Sequence, residues 1–190
     1  FWSDAFELTS DIVITGSENW NDGAGFIPIG SESIPFTGSL NGNHHIINGL
    51  SISGGNDVGF FGFLKGSVDS LQLTNAEVSG TSYVGILSGR TTFATVQYVK
   101  VSGNLTLEYM YGGLICGRAD SSVTIANSAA IGNIYGGEYI GMIFGLGRVD
   151  IELTGLSARG TINGESNVGG LAGYLQTANV TDSYADVDII

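Results

Sequence analysis

The phrase G-x-x-x-G returns along this chain at a fixed distance. It begins at Gly85, Gly113, Gly141 and Gly169, and each copy closes four residues later, at Gly89, Gly117, Gly145 and Gly173. The leading glycines are 28 residues apart three times in succession. The columns between them are apolar or small: Ile86, Leu114, Met142 and Gly170; Leu87, Ile115, Ile143 and Leu171; Ser88, Cys116, Phe144 and Ala172. VGFFGFL at 58–64 is an earlier copy, one residue shorter. A second phrase follows each first one. In VTIANSAAIGNI (123–134) and IELTGLSARGTI (151–162), Ile125 matches Leu153, Ala130 matches Ala158, Gly132 matches Gly160 and Ile134 matches Ile162. VQYVKVSGNL (96–105) and VTDSYADVDI (180–189) are the flanking copies.

Within these phrases apolar residues recur at steps of two, the period of a strand, and no stretch keeps the helical spacing of three and four. A 28-residue unit of short strands and glycine turns cannot bury its own faces. Stacking equivalent strands solves this, because each backbone then bonds to the coils above and below at about 4.8 Å, and inward side chains line up in columns. The expected fold is an all-β parallel β-solenoid (β-helix) of ~28-residue coils, about six of them, on the order of 30 Å long. A β-propeller blade uses about 40 residues and fits the repeat poorly. One feature resists the simple picture. Both alternating faces of the G-x-x-x-G runs are apolar, so either that wall is covered or the glycines bend the strand and break the alternation.

Composition agrees with this. The chain of 190 residues has 31 Gly and only 2 Pro, suiting many tight turns. It is too apolar for a disordered chain, at 43% hydrophobic and 13% charged. The net charge of −12 offers no basic patch to nucleic acid or anionic membrane, so neither is an expected partner. No apolar run reaches the roughly 20 residues of a membrane span, so no membrane insertion is expected. The lone Cys116, inside LICG, reads as a small buried hydrophobe. The expected layout is one domain over 1–190: a cap or first coil at 1–30, the first coils at 31–80, and four G-x-x-x-G repeats at 81–190. A chain that opens on Phe1 and stops in mid-phrase at Ile190 is expected to be a piece of something longer.

The text of the N-terminal third carries a family resemblance: FELTSDIVI (6–14), WNDGAGFIPIG (20–30), PFTGSLNGNHHIINGLSI (35–52), VGFFGFL and VDSLQLTNAEVSG (68–80), followed by the VGILSG-type copies. It resembles the GLUG-repeat family of bacterial surface proteins along nearly the whole chain. Trp20 is followed by a longer spacer before Pro28-Ile29-Gly30 than the family pattern has, and Asn41 stands where Asp is common. The resemblance implies a right-handed parallel β-helix in a large secreted or cell-surface adhesin. It implies no activity, because the family name describes a repeat.

The chemistry-bearing residues are few. Arg90 and Arg118 are 28 apart and are expected on adjacent coils, facing solvent. Asp186 and Asp188 share a strand face but fall where Ile131 and Asn133 stand in another copy, so no carboxylate column forms. Ca²⁺ is the one ion that the carboxylates would take; no other cofactor is expected, and neither an RTX nonapeptide nor an EF-hand loop is present. His44 and His45 lie at a turn into a strand with no cysteine partner, which argues against zinc. No G-x-S-x-G elbow supports a hydrolase. No catalytic residue and no metal site is therefore named, and the chain is not expected to be an enzyme; a polysaccharide-active β-helix is the weakest alternative. The Thr residues form no 28-residue column, which disfavours ice binding.

One column has two readings. Tyr83, Tyr111 and Tyr139 repeat 28 apart, and Asn167 continues them. Stacked rings would reinforce neighbouring coils by about 0.5–1.5 kcal/mol per pair. Alternatively they form an exposed strip on which sugar rings lie. The leading expectation is a rigid, non-enzymatic segment of an extracellular adhesin or fibre. Its expected partners are a host or neighbouring-cell surface, glycans or other adhesin chains, with end-to-end self-association through uncapped coils. A carbohydrate-binding module using Tyr83, Tyr111 and Tyr139 is the second expectation.

Overall fold

The structure, a computed structural model, describes residues 2–190 and is a parallel β-solenoid. Every pairing between its strands is parallel, and helix is limited to two 3₁₀ turns, Ser17–Asn19 and Asn21–Gly23. One wall stacks seven strands in the order Ile12–Val13, Ile46–Asn48, Gln72–Val84, Lys100–Gly112, Ala129–Tyr135, Ser157–Asn163 and Tyr184–Ile189. The coils complete about five regular turns rather than the expected six. The difference lies near the start, where the chain runs through the 3₁₀ turns and meets the next coil by isolated bridges only, Gly25 to Ile52, Ile29 to Phe61 and Phe36 to Leu64. There the buried Ser17 hydroxyl donates to the Gly49 carbonyl (3.0 Å) and accepts from the Ser51 N–H (3.1 Å). Asp11 accepts from the Ile46 N–H at 3.0 Å and lies 2.9 Å from His45 Nδ1; the backbone bond, then the imidazole, holds its carboxyl below the usual range.

The 28-residue frame is the stacking register. Val84, Gly112, Ile140 and Val168 are partners in succession, and so are Ser88, Cys116, Phe144 and Ala172. Gly141 pairs with Gly169 directly. The core is a set of continuous columns. One runs Phe6, Leu40, Val68, Val96, Ile125, Leu153, Val180. Another runs Ile52, Val78, Leu105, Ile134, Ile162, Ile189. Inside the stack these side chains are essentially dry, each contributing about 1.5–3 kcal/mol by burial. Polar columns run along the outside: Asn133 donates to Asn104 (2.9 Å), and Asn104 donates to Glu77 (2.7 Å).

The doubly apolar G-x-x-x-G wall is resolved by bending. In each copy the two residues after the leading glycine leave the strand, and in the first three copies both of them, such as Leu114 and Ile115, are apolar and turn inward. The closing glycine lets two backbones meet. A Cβ on Gly117, Gly145 or Gly173 would stand 2.5–2.6 Å from the carbonyl carbon of Tyr83, Tyr111 or Tyr139 in the preceding coil. Those partners sit at a sharp corner, which is where the candidate site begins.

Candidate functional site

Tyr83, Tyr111 and Tyr139 have φ of 57°, 67° and 55°, and Asp57 and Asn167 occupy the same corner at 57° and 52°. A single left-handed residue per coil turns the chain there. For a bulky residue this conformation is costly, of order 1 kcal/mol or more, and it persists because the stacked coils above and below fix it. The corner delivers the three rings to one line. Tyr83 and Tyr111 stack at 5.4 Å with an 11° tilt, and Tyr111 and Tyr139 lie 5.3 Å apart at 37°. All three are half-buried. Their faces are turned to one another, as the intramolecular reading expects, and burial, then the neighbouring Tyr83, pushes the Tyr111 hydroxyl's pKa up against the opposing pull of Arg118.

Arginines close over this ladder. Arg90 pairs in register with Arg118, as the spacing predicted, but neither is simply solvent-facing. The Arg90 guanidinium lies 4.7 Å from the Phe63 ring centre and 5.5 Å from that of Tyr83. The Arg118 guanidinium lies 5.5 Å from Tyr83 and 6.0 Å from Tyr111. Such contacts are worth roughly 0.5–2 kcal/mol each as desolvation increases.

Carboxylates complete the wall. Arg90 meets Glu32 at 3.1 Å and Asp57 at 3.6 Å. The last contact is too long for a hydrogen bond, so Asp57 Oδ1 and Arg90 Nε are buried without one. Burial pushes the Asp57 carboxyl above its ordinary pKa, and Arg90 opposes it. Arg118 grips Asp120 Oδ1 at 2.7 Å from both Nε and a terminal nitrogen, and Arg148 reaches the same oxygen at 3.5 Å. Burial weakens Arg118 as a cation, but Asp120 outweighs it and raises the pKa.

Reading the sequence alone missed this network. Its signal was present: Asp120 is two residues from Arg118, hence on the same strand face, and Arg148 is 28 residues after Asp120. Tyr174 was missed in the same way, at 28 residues beyond Leu146, its register partner.

The remaining candidates lie apart from the ladder. Cys116 is buried, bonded through Sγ to Thr91 Oγ1 at 3.2 Å, and desolvation pushes its thiol up to about 12. His45 serves the contact with Asp11. Asp186 pairs with Arg159 and Asp188 with Thr161, each a separate column. Among the described residues no group of three or more His, Cys, Asp or Glu is placed to hold a metal. Among the described residues no helix is long and apolar enough to cross a membrane. An apolar hollow of ≈ 350 Å³ opens at the N-terminal mouth, lined by Leu8, Ile14, Trp20, Phe26, Leu40 and Phe60 among others.

Comparison with known proteins follows the repeat. The model of the GLUG motif matches residues 164–190, which is the last coil. This coil is a GLUG motif. Halomucin of Haloquadratum walsbyi is 38% identical over 138 residues, 68% of this chain but 2% of halomucin. A solved structure titled as a putative immunoglobulin A1 protease from Bacteroides ovatus covers 97% of this chain and 70% of its own, with a TM-score of 0.55 and 19% identity. That likeness concerns the fold. The GLUG motif and the solenoid together fit a surface or secreted protein of a general kind.

Proposed function

We propose that this chain is a rigid, non-enzymatic segment of a secreted or cell-surface protein, which projects, spaces and attaches. The observation that carries the reading is the unbroken set of columns running from Phe6 to Val180. Each coil is held by its neighbours, so stiffness accumulates with each added unit. The G-x-x-x-G glycines and the left-handed tyrosines fit the same purpose, since both serve close coil-to-coil approach. The identity to halomucin supports a surface setting. The name of the B. ovatus protein raises proteolysis as a competing activity.

Two assays test this. Immunoglobulin A1 and polygalacturonate, the latter with and without Ca²⁺, are expected to survive prolonged incubation with the chain. Beads coated with it are expected to adhere to glycan-bearing cells. Cleavage of either substrate, or beads that adhere no better than uncoated ones, would overturn the reading.

A further inference from the structure

The six cations are unevenly placed. Lys65 lies over the Phe63 ring at 5.2 Å, and Arg90, Arg118 and Arg148 belong to the tyrosine wall. The carboxylates that contact these four are Glu32, Asp57 and Asp120. Only Lys100 and Arg159 remain for the other fifteen of the eighteen carboxylates. The three arginines of the wall are matched by these three carboxylates, so the wall is locally near neutral on a protein of net charge −12.

Within the wall one guanidinium is under-used. Asp120 is already bound by Arg118 through two nitrogens, and Arg148 reaches the same oxygen only at 3.5 Å. The Arg148 side chain makes no hydrogen bond to the described residues and is 48% exposed. A planar fork with free donors is suited to a carboxylate. On the following coil Gln176 continues the Arg148 register, and the outer-face residue two positions before Gln176 is aromatic. Tyr174 pairs with Leu146, two residues before Arg148, and alternation puts Tyr174 and Arg148 on the same outer face. Strand rise and spacing separate their backbones by about 8 Å, roughly the width of one pyranose with its substituent.

The ladder ends at Tyr174. Its ring stands at 84° to Tyr139, 6.3 Å away, so the face-to-face run that begins at Tyr83 stops there. Tyr174 is 46% exposed, with no further ring stacked on it among the described residues.

We propose that Tyr174 and Arg148 form a binding site for a carboxylate-bearing sugar of the uronate type. The pyranose lies against the Tyr174 ring, and its carboxylate takes the donors of Arg148 that Asp120 leaves unused. Neutral sugars lack the second contact. The net charge of −12 disfavours polyanions over most of the surface, and the near-neutral wall is where such a ligand meets little repulsion. The proposal is independent of the spacer reading: the coils would be as rigid with the site empty.

Titration of the full chain with trigalacturonate, monitored by NMR of the tyrosine rings, tests it, with maltotriose as the neutral comparison. Trigalacturonate is expected to shift the Tyr174 ring signals and to bind at least about tenfold more tightly than maltotriose. Arg148→Gln is expected to weaken binding about tenfold, near 1.4 kcal/mol, and Arg148→Lys less. Tyr174→Ala is expected to remove binding of both sugars. Arg159→Gln makes the same change of charge on the other sheet and is expected to alter affinity less than about twofold. Equal binding of maltotriose, equal weakening by Arg159→Gln, or unmoved Tyr174 signals at saturating trigalacturonate would each overturn the site.

Discussion

The fifth and sixth members of one core column differ tenfold or more in exposure without differing in kind. Ile134 and Ile162 are fully buried, whereas Ile189, next in the same column, is 54% exposed. Leu153 is 1% exposed and its partner Val180 42%. Phe144 is buried and Ala172 only half so. The last coil repeats the pattern of the coils before it, down to the pairing of Gly141 with Gly169. Within the described residues, 2–190, no further layer stacks on its far side. In a one-dimensional fold, a residue's contribution is therefore set by how many coils cover it, and identical side chains are worth different amounts at different layers.

The largest expected effect comes from a column in which the two regions use different residues. Gly103, Gly132 and Gly160 stack in the interior, and Val187 follows in the last coil. Gly160 has φ 136°, and a Cβ there would run into the Gly132 carbonyl. Gly160→Val is expected to cost at least about 4 kcal/mol or to prevent folding, although valine is the natural residue one layer later. Urea denaturation followed by circular dichroism measures it; a cost below about 1 kcal/mol would mean that the interior register can slip.

The next effect uses one substitution at two layers. Ile134→Ala is expected to cost about 3 kcal/mol, and Ile189→Ala less than about 1 kcal/mol. Equal losses would show that the last coil is covered in solution. A thiol sharpens the same point. Cys116 and Ala172 are two layers apart in one column. Burial holds the Cys116 thiol at about 12, so it presents little thiolate. In a Cys116→Ser background, Ala172→Cys is expected to react with iodoacetamide at least about tenfold faster than Cys116 does in the native chain. Comparable rates would show the two layers to be equally open.

These contrasts also mark what was legible. The 28-residue frame gave the register, the columns and the tyrosine line, because a repeat writes its own neighbours into the sequence. Cys116 was legible for the same reason, from its apolar flanks. The break in alternation at Gly113 and Gly141 was visible only as a conflict between two apolar faces, since the bend depends on how closely the next coil approaches. The arginine–carboxylate network was countable, yet the count does not reveal which guanidinium each carboxylate selects. Glu32 was beyond reach, because it precedes the regular repeat and meets Arg90 from 58 residues away.

The smallest expected effect is electrostatic. Residues 164–190 carry Glu165, Asp182, Asp186 and Asp188 and no Lys or Arg, so the last coil repels itself as well as the rest of the chain. Raising NaCl from 0.05 to 1 M shortens the screening length to about 3 Å. Amide exchange across Tyr184–Ile189 is expected to slow about two- to threefold, with little change in Ala129–Tyr135. Faster exchange would show instead that the attraction between Asp186 and its partner Arg159 dominates there.

The one-residue corner has a wider consequence. Because each coil turns at the same backbone position, the side chain chosen there is displayed at a constant pitch of about 4.8 Å, like marks on a tape measure. Exchanging Tyr, Asp or Asn at that mark alters what the surface presents while leaving the spacing untouched. Such a molecule can vary its outward message one coil at a time without redesigning the spool on which it is wound.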